Sequence, residues 1–304
     1  MYQAQRPAHS EFVKLRTLNY HVLIWGTPSP ASTPLVMLHG WMDVAASFQF
    51  VVDALHESFF KDRFILAPDW RGFGLTRAPE TDNFWFPDYL ADLDFLLDHY
   101  AGNRAVDLLG HSMGGNAAML YAGVRPERIR RLINLEGFGM PATQAEQAPA
   151  RYGRWIDELK QLHRGELNLR SYEDVTGVAR RMMKTNPRLS EDKATWLARH
   201  WARENPAGQW EILGEAAHKV VSAQLYRVEE ALACFRAIRA PLLSVQASDN
   251  QMDKWWQGRY TLAEYQERIK SVPQVQQAIV NQAGHMLHHD QPQQLAALIE
   301  SFLA

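Results

Sequence analysis

The chain has 304 residues, of which 46% are hydrophobic and 22% are charged, and its formal net charge is −2. This composition is typical of a globular protein with one large core, and nothing in the net charge indicates a surface that binds nucleic acid or an anionic membrane. The single cysteine, Cys234, excludes an intrachain disulfide and a metal site built on several cysteines. Residues 1–10 resemble no signal peptide, and no apolar run predicts a membrane span, so we expect a cytoplasmic protein.

Short apolar runs alternate with longer amphipathic segments along much of the chain. The predicted strands are 12–18, 20–25, 35–38, 64–67, 105–109, 129–135, 241–246 and 275–280. Apolar residues at helical spacing predict helices over 48–55, 89–99, 117–124 and 293–302. This alternation predicts an α/β fold with a mostly parallel sheet of about eight strands and helices on both faces.

The alternation stops between residue 140 and about residue 236, where no clear strand is visible and four prolines punctuate the segment. We predict several helices inserted between strands six and seven. The predicted domains are a core of residues 1–139 and 236–304 and a helical cap of residues 140–235. The cap tryptophans are expected to pack internally, with some facing a pocket; they are Trp155, Trp196, Trp201 and Trp210.

The strand over 105–109 runs into Gly110-His111-Ser112-Met113-Gly114, and a helix-like segment follows. Small residues two positions before and after the serine allow a strand to turn sharply into a helix, which exposes the hydroxyl. A serine on such a corner is typical of a nucleophile that is activated by a base.

Three further motifs follow predicted strands. His285, preceded by glycine, lies after the last strand, where it can reach over the sheet edge to the serine. His-Gly-Trp at 39–41 follows the strand over 35–38 and brings backbone N–H groups near the same corner. Asp-Trp-Arg-Gly-Phe-Gly at 69–74 follows the strand over 64–67.

Together these motifs strongly resemble the α/β-hydrolase family, in the family's order, over about residues 18–302 apart from the insertion. The insertion lies where the family carries its cap. The resemblance implies an α/β-hydrolase fold and a serine hydrolase without a metal or organic cofactor. Its substrates would be a small-molecule ester and water.

The resemblance also implies a role for each matching residue. Ser112 would attack an acyl carbonyl, and His285 would take its proton and later protonate the leaving group. The backbone N–H groups of Met113 and Trp41 would form the oxyanion hole. The candidate substrate-binding residues are Trp41, His111 and Trp255.

The acid of the triad has two candidates. The usual family position follows the seventh strand, where Asp249 is the carboxylate, with Asp253 a weaker candidate nearby. However, Ala247 stands where glycine is usual, and Asn250 stands where aspartate is usual.

In a second arrangement found in the family, the acid follows the sixth strand, as in haloalkane dehalogenases. Glu136 ends that strand, 24 residues after Ser112 (136 − 112). A charged residue at the end of an apolar strand needs a partner, which His285 can supply. Glu136 is slightly preferred to Asp249, and both stay open at this point.

Other motif residues are expected to have structural roles. His39 and His111 would shape the loops and the pocket floor, Asp43 would cap a helix start, and Asp69 and Arg71 would brace their loop. Hydrogen-bonding or surface positions are expected for His218, His288 and His289. Cys234 is expected to be buried without a role.

The predicted reaction is hydrolysis of a carboxylic ester through an acyl-serine. The aromatic-rich cap indicates a small or medium hydrophobic acyl or alcohol group. Ser112 argues against haloalkane dehalogenases and epoxide hydrolases, which use an aspartate nucleophile. Carbon–carbon bond hydrolases and cofactor-free perhydrolases use serine and stay as alternatives, as does a non-catalytic small-ligand receptor.

Overall fold

A computed structural model describes residues 1–29 and 32–304. The strands of its central sheet are β1 (His9–Leu15), β2 (Leu18–Trp25), β3 (Leu35–Leu38), β4 (Ile65–Pro68), β5 (Val106–His111), β6 (Ile129–Leu135), β10 (Leu242–Ala247) and β11 (Val275–Val280). Their order is β1-β2-β4-β3-β5-β6-β10-β11. The pairs β1–β2 and β2–β4 are antiparallel and the others are parallel, which confirms the predicted eight-stranded, mostly parallel sheet.

The helices are α1 (Gln49–Ala54), α2 (Glu57–Phe60), α3 (Pro87–Ala101), α4 (Met113–Val124), α5 (Ala148–His163), α6 (Val175–Thr185), α7 (Glu191–Trp201), α8 (Val228–Ala237), α9 (Met252–Trp256), α10 (Leu262–Ile269), α11 (Leu287–Asp290) and α12 (Pro292–Leu303). The predicted helix over 48–55 begins as a short 3-10 helix, Ala45–Phe48, which leads into α1. Within the described residues, no helix has both the length and the apolar character needed to cross a membrane.

Helices cover both faces of the sheet, as predicted. Side chains alternate between the two faces along a strand, and the buried strand β3 is an example. Leu35 and Met37 pack in one core cluster with α1 and α12, whereas Val36 and Leu38 pack in a second cluster with α3 and α4. The sheet is therefore buried on both faces, as parallel sheets usually are.

The segment between β6 and β10 contains α5 to α8 and also a small antiparallel sheet. Its strands are β7 (Ser171–Tyr172), β8 (Ala202–Glu204) and β9 (Trp210–Ile212), in the order β7-β9-β8. The expectation of a segment without strands is therefore wrong. Strands of two and three residues are too short to show an alternating pattern in the sequence.

The last helix of this segment packs against the core. A Cβ added at Gly123 of α4 would lie only 2.2 Å from the carbonyl oxygen of Cys234 of α8. Cys234 is half-buried, so the expected full burial is wrong. The predicted division into a core and a cap of residues 140–235 stays a prediction.

Candidate active site

Ser112 lies on the sharp turn between the end of β5 and the start of α4. Its φ of +52° is sparsely populated for a residue with a side chain, at a cost of about 1–3 kcal/mol. The turn requires its flanking glycines. A Cβ at Gly110 would lie 2.2 Å from the carbonyl oxygen of Gly114, and one at Gly114 would lie 2.2 Å from that of Leu38.

A chain of hydrogen bonds joins Ser112, His285 and Glu136. Nε2 of His285 lies 3.0 Å from Oγ of Ser112, and Nδ1 lies 3.0 Å from Oε2 of Glu136. His285 lies on the loop between β11 and α11, and Glu136 directly follows β6. The carboxyl ends of parallel strands share one edge of the sheet, so residues far apart in sequence meet there. In this arrangement the carboxylate orients the imidazole toward the serine hydroxyl.

The Glu136 side chain is fully buried, yet both of its oxygens accept hydrogen bonds. Oε1 accepts from the backbone N–H of Ala247 at 2.8 Å, and Oε2 faces His285. The backbone N–H of Glu136 donates to the carbonyl oxygen of Val245 at 3.1 Å. A buried charge needs such partners, and these contacts hold the carboxylate in one position.

Asp249 is not brought to the imidazole ring. Its half-exposed carboxylate forms an ion pair with Arg188 and accepts a hydrogen bond from Ser248 at 3.2 Å. Asp253 is exposed on α9. Of the two carboxylates that the sequence left open, Glu136 therefore contacts His285.

The backbone on both sides of Ser112 carries the two predicted oxyanion donors. A Cβ added at Gly40 would lie 3.2 Å from Cβ of Ser112, so the Gly40–Trp41 backbone runs beside the serine. Met113 is the first residue of α4, so its N–H belongs to the first-turn donors that have no intrahelical acceptor. The oxyanion role of both groups stays a prediction.

A cavity of about 340 Å³ opens onto Ser112 and His285. Trp41, which is 55% exposed, lines it, and the Trp255 ring stands edge-on to the His285 ring at 4.5 Å. The neighbouring Trp256 packs against a core cluster instead. Sequence reasoning did not single out five lining residues from the inserted segment, namely Met182, Thr185, Asn186, Arg188 and Leu189. Their spacing in the sequence follows no period, because the packing of that segment over the sheet determines which side chains face the cavity.

His111 lines the cavity and supports the histidine loop. Its Nε2–H donates to the backbone carbonyl oxygen of His285 at 2.8 Å. Burial and the nearby rings of His288 and His285 lower the pKa of His111 well below its ordinary value. The His111 ring is therefore neutral at neutral pH.

Asp43 does not cap the helix that follows it, so that prediction is wrong. Oδ1 of Asp69 accepts from the N–H of Ala45 at the start of the 3-10 helix, at 2.7 Å. Asp43 instead accepts from Nε1 of Trp201 at 3.0 Å, which links the inserted segment to the core. The tertiary fold places Asp69, which is farther away in the sequence than Asp43, next to the N–H of Ala45. The local sequence does not reveal this contact.

The other three histidines that the sequence left at hydrogen-bonding or surface positions are buried or partly buried. His218 is stacked between the rings of Phe73 and Phe84, with 3.7 Å between centroids, and burial lowers its pKa to about 3. His288 and His289 both contact Oγ of Ser47, at 3.1 and 2.6 Å. The burial of His288 and His289 and their contacts with Ser47 correspond to the hydrogen-bonding alternative rather than to the surface one.

Known proteins resemble this chain in sequence and fold. It is 25% identical over 288 residues to the serine hydrolase-like protein of Danio rerio, covering 92% of this chain and 83% of that protein. It is 32% identical over 113 residues to a 2-hydroxy-6-oxo-2,4-heptadienoate hydrolase of Pseudomonas putida, covering 36% and 39% of the two chains. The thioesterase domain from the curacin biosynthetic pathway shares the fold, with a TM-score of 0.80, 22% identity and coverage of 96% and 99%.

A sequence model of the alpha/beta hydrolase fold matches residues 33–292. The matched range contains the serine turn, the buried glutamate and the histidine loop described above. It covers most of the chain, and the eight-stranded sheet agrees with it. The chain therefore belongs to the alpha/beta hydrolase fold family.

Proposed function

We propose that this protein is a serine hydrolase that cleaves carboxylic esters with small to medium hydrophobic groups through an acyl-enzyme intermediate. The observation that carries the proposal is the chain Ser112–His285–Glu136, in which both hydrogen-bond distances are 3.0 Å. This geometry satisfies the reach that a nucleophile, its base and the orienting acid require.

In the proposed reaction, Oγ of Ser112 attacks the ester carbonyl while its proton moves to Nε2 of His285. The Glu136 carboxylate stabilises the resulting imidazolium through the Nδ1–H. The N–H groups of Met113 and Trp41 donate to the oxyanion, each typically worth ~10²–10³ in turnover. The alcohol leaves with the proton from His285, and water then hydrolyses the acyl-serine by the same steps.

The cavity supports the proposed size and polarity of the substrate. A volume of about 340 Å³ lies near the lower end for small-molecule sites. Trp41, Trp255 and Met182 contribute apolar surface to its walls, which favours hydrophobic acyl or alcohol groups.

Covalent labelling tests the nucleophile assignment. A fluorophosphonate probe should add one adduct to the protein, and peptide mass spectrometry should locate it on Ser112. Ser112→Ala should keep its fold and lose both labelling and turnover of p-nitrophenyl esters, whereas Ser222→Ala, at an exposed loop serine, should keep both. Equal labelling of Ser112→Ala would refute the assignment. A non-catalytic receptor would bind esters without releasing their alcohol.

Hydrolysis of a carbon–carbon bond is the second candidate. It is favoured by the 32% identity over 113 residues to the Pseudomonas putida hydrolase. The two candidates are separated by comparing kcat/KM for a series of p-nitrophenyl esters with that for 2-hydroxy-6-oxo-2,4-heptadienoate, followed by its absorbance. Preference for the dienoate by orders of magnitude would favour the second candidate.

A further inference from the structure

Three buried side chains, Asp43, His111 and His288, converge beside the cavity. A carboxylate oxygen and one nitrogen from each ring lie within 4.8 Å of one another. The exposed fractions of the three residues are 3%, 2% and 0%. Oδ2 of Asp43 and Nδ1 of His111 find no hydrogen-bond partner among the described residues. Nε2 of His288, the ring nitrogen that lies 3.8 Å from Oδ2 of Asp43, contacts Oγ of Ser47 at 3.1 Å. Buried polar atoms are nearly always paired, so a cluster of unpaired buried polar atoms points to a bound ligand.

Surrounding contacts orient Asp43 and His111 in the way that metal ligands are oriented. The Nε2–H of His111 donates to the carbonyl oxygen of His285, which leaves the lone pair on Nδ1. Nε1 of Trp201 donates to Oδ1 of Asp43 and leaves Oδ2 without a donor. Ligating histidines in proteins almost always donate their other ring N–H to a carbonyl or carboxylate, and ligating carboxylates are hydrogen-bonded in turn.

Charge and lone pairs favour a cation over a water molecule. Oδ2 of Asp43 and Nδ1 of His111 can only accept, and one ring nitrogen of His288 lies beside them. A water molecule has two hydrogens to donate, whereas a metal ion can bind three lone pairs at once. Imidazole nitrogen and carboxylate oxygen are ligands that zinc takes in proteins.

We propose that Asp43, His111 and His288 bind a divalent transition-metal ion such as Zn²⁺, with water as the fourth ligand. Zinc bonds of about 2.0–2.1 Å place tetrahedral ligand atoms about 3.4 Å apart. Oδ2 of Asp43 and Nε2 of His288 are 3.8 Å apart, and the three ligand atoms all lie within 4.8 Å of one another, so side-chain rotations would have to bring them to this spacing. Asp43 and His111 also line the 340 Å³ cavity, which gives the ion an entry path. The ion has no part in the proposed hydrolysis.

Metal retention tests the site directly. Tag-free protein is treated with a chelator, dialysed against Zn²⁺ and then against buffer, and its zinc is measured by mass spectrometry. We expect one zinc per chain, a higher Tm in the presence of Zn²⁺, and visible bands of tetrahedral Co²⁺ when cobalt replaces zinc. Asp43→Asn and His288→Gln should each lose all three signals.

Controls separate this site from other histidines and from the proposed reaction. His163→Gln removes an exposed histidine that pairs with Asp82 at 3.0 Å, and it should retain zinc. Ser112→Ala should also retain zinc, because the nucleophile is not a ligand, so the result is independent of hydrolysis. Asp43→Asn keeps the acceptor for Trp201 and provides a folded variant if His288→Gln does not fold. Absence of zinc in the folded wild type, or full retention in folded Asp43→Asn, would overturn the proposal.

Discussion

At the residue scale, the buried carboxylate of Glu136 sets the direction of the His285 ring. One of its oxygens accepts a hydrogen bond from the backbone N–H of Ala247, and the other faces Nδ1 of the His285 ring. An anion in this position favours the tautomer with the proton on Nδ1, so that Nε2 is free to accept the serine proton. The proposed catalysis therefore depends on the charge of Glu136 as well as on its shape.

Glu136→Gln tests this dependence. An amide NH₂ facing Nδ1 would favour the other tautomer, with its hydrogen pointing at Ser112. We expect kcat for p-nitrophenyl butyrate to fall roughly 10³- to 10⁴-fold, with thermal unfolding close to that of the wild type.

Asp249→Asn is the matched control, because it removes a carboxylate that pairs with Arg188 outside the hydrogen-bonded chain. Its kcat should stay near the wild-type value. If Asp249→Asn lost as much activity as Glu136→Gln, Glu136 would not be the sole acid.

Residue chemistry alone left the choice between these two carboxylates open. Both follow strands whose carboxyl ends lie at the same edge of the sheet, since β6 and β10 are neighbours. The direction of each side chain decides which one meets the ring, and that direction depends on packing around the strand ends. The pairing of Asp249 with Arg188, which comes from the inserted segment, is likewise invisible in the local sequence.

At the element scale, the turn from β5 into α4 depends on close backbone contacts. The space beside Gly110 is filled by the carbonyl oxygen of Gly114, which would lie 2.2 Å from any Cβ introduced at residue 110. Backbone atoms on both sides of this contact belong to a buried strand and a buried helix, so neither can move away. The glycine spacing is therefore a packing requirement of this strand–turn–helix unit.

Gly110→Ala should lower the free energy of unfolding by about 1–3 kcal/mol or more, as overpacking does. Gly153→Ala is the control, because Gly153 lies exposed in α5 and a Cβ there meets nothing within 4 Å. That substitution should stabilise the protein by up to about 1 kcal/mol. Urea unfolding of both variants measures the difference, and equal effects would contradict the packing argument.

Most long elements could be predicted because burial leaves a periodic pattern. The sheet strands and α3, α4 and α12 all match predicted segments to within a few residues. The short strands β7 to β9 and the helices α9 to α11 were not predicted. Elements of two to eight residues contain too few buried positions to show a period, so tertiary contacts determine them.

At the scale of the whole molecule, Asp69 connects its own loop to two distant parts of the chain, at Ala45 and His21. Its carboxylate accepts from the backbone N–H of Ala45 and Leu75, at 2.7 and 2.8 Å, and faces Nδ1 of His21 at 2.7 Å. Burial by itself would raise the pKa of Asp69, but the hydrogen bond and charge of His21 outweigh it and lower the pKa below its ordinary value.

This shift predicts the pH dependence of stability. An unfolded aspartate takes up its proton near pH 4, whereas folded Asp69 does so at lower pH. Its contribution is therefore complete above about pH 4 and is lost as the pH falls through the folded pKa. Asp69→Asn should cost about 1–3 kcal/mol at neutral pH and should make stability fall less steeply below about pH 4.

Urea unfolding in steps between about pH 7 and pH 3 measures both effects. Asp82→Asn, at a half-exposed surface carboxylate, is the matched control and should follow the wild-type curve. Parallel curves for Asp69→Asn and the wild type would rule out this linkage.

The sequence by itself determined the α/β class, the eight strands and the identity of Ser112 and His285 as candidates. These features depend on local periodicity and on glycine spacing, which a single chain displays directly. Only the tertiary structure decided which carboxylate meets His285, which aspartate supports the 3-10 helix, and that Asp43, His111 and His288 converge. Those outcomes depend on side-chain directions where separate strands and loops meet, and no local pattern encodes them.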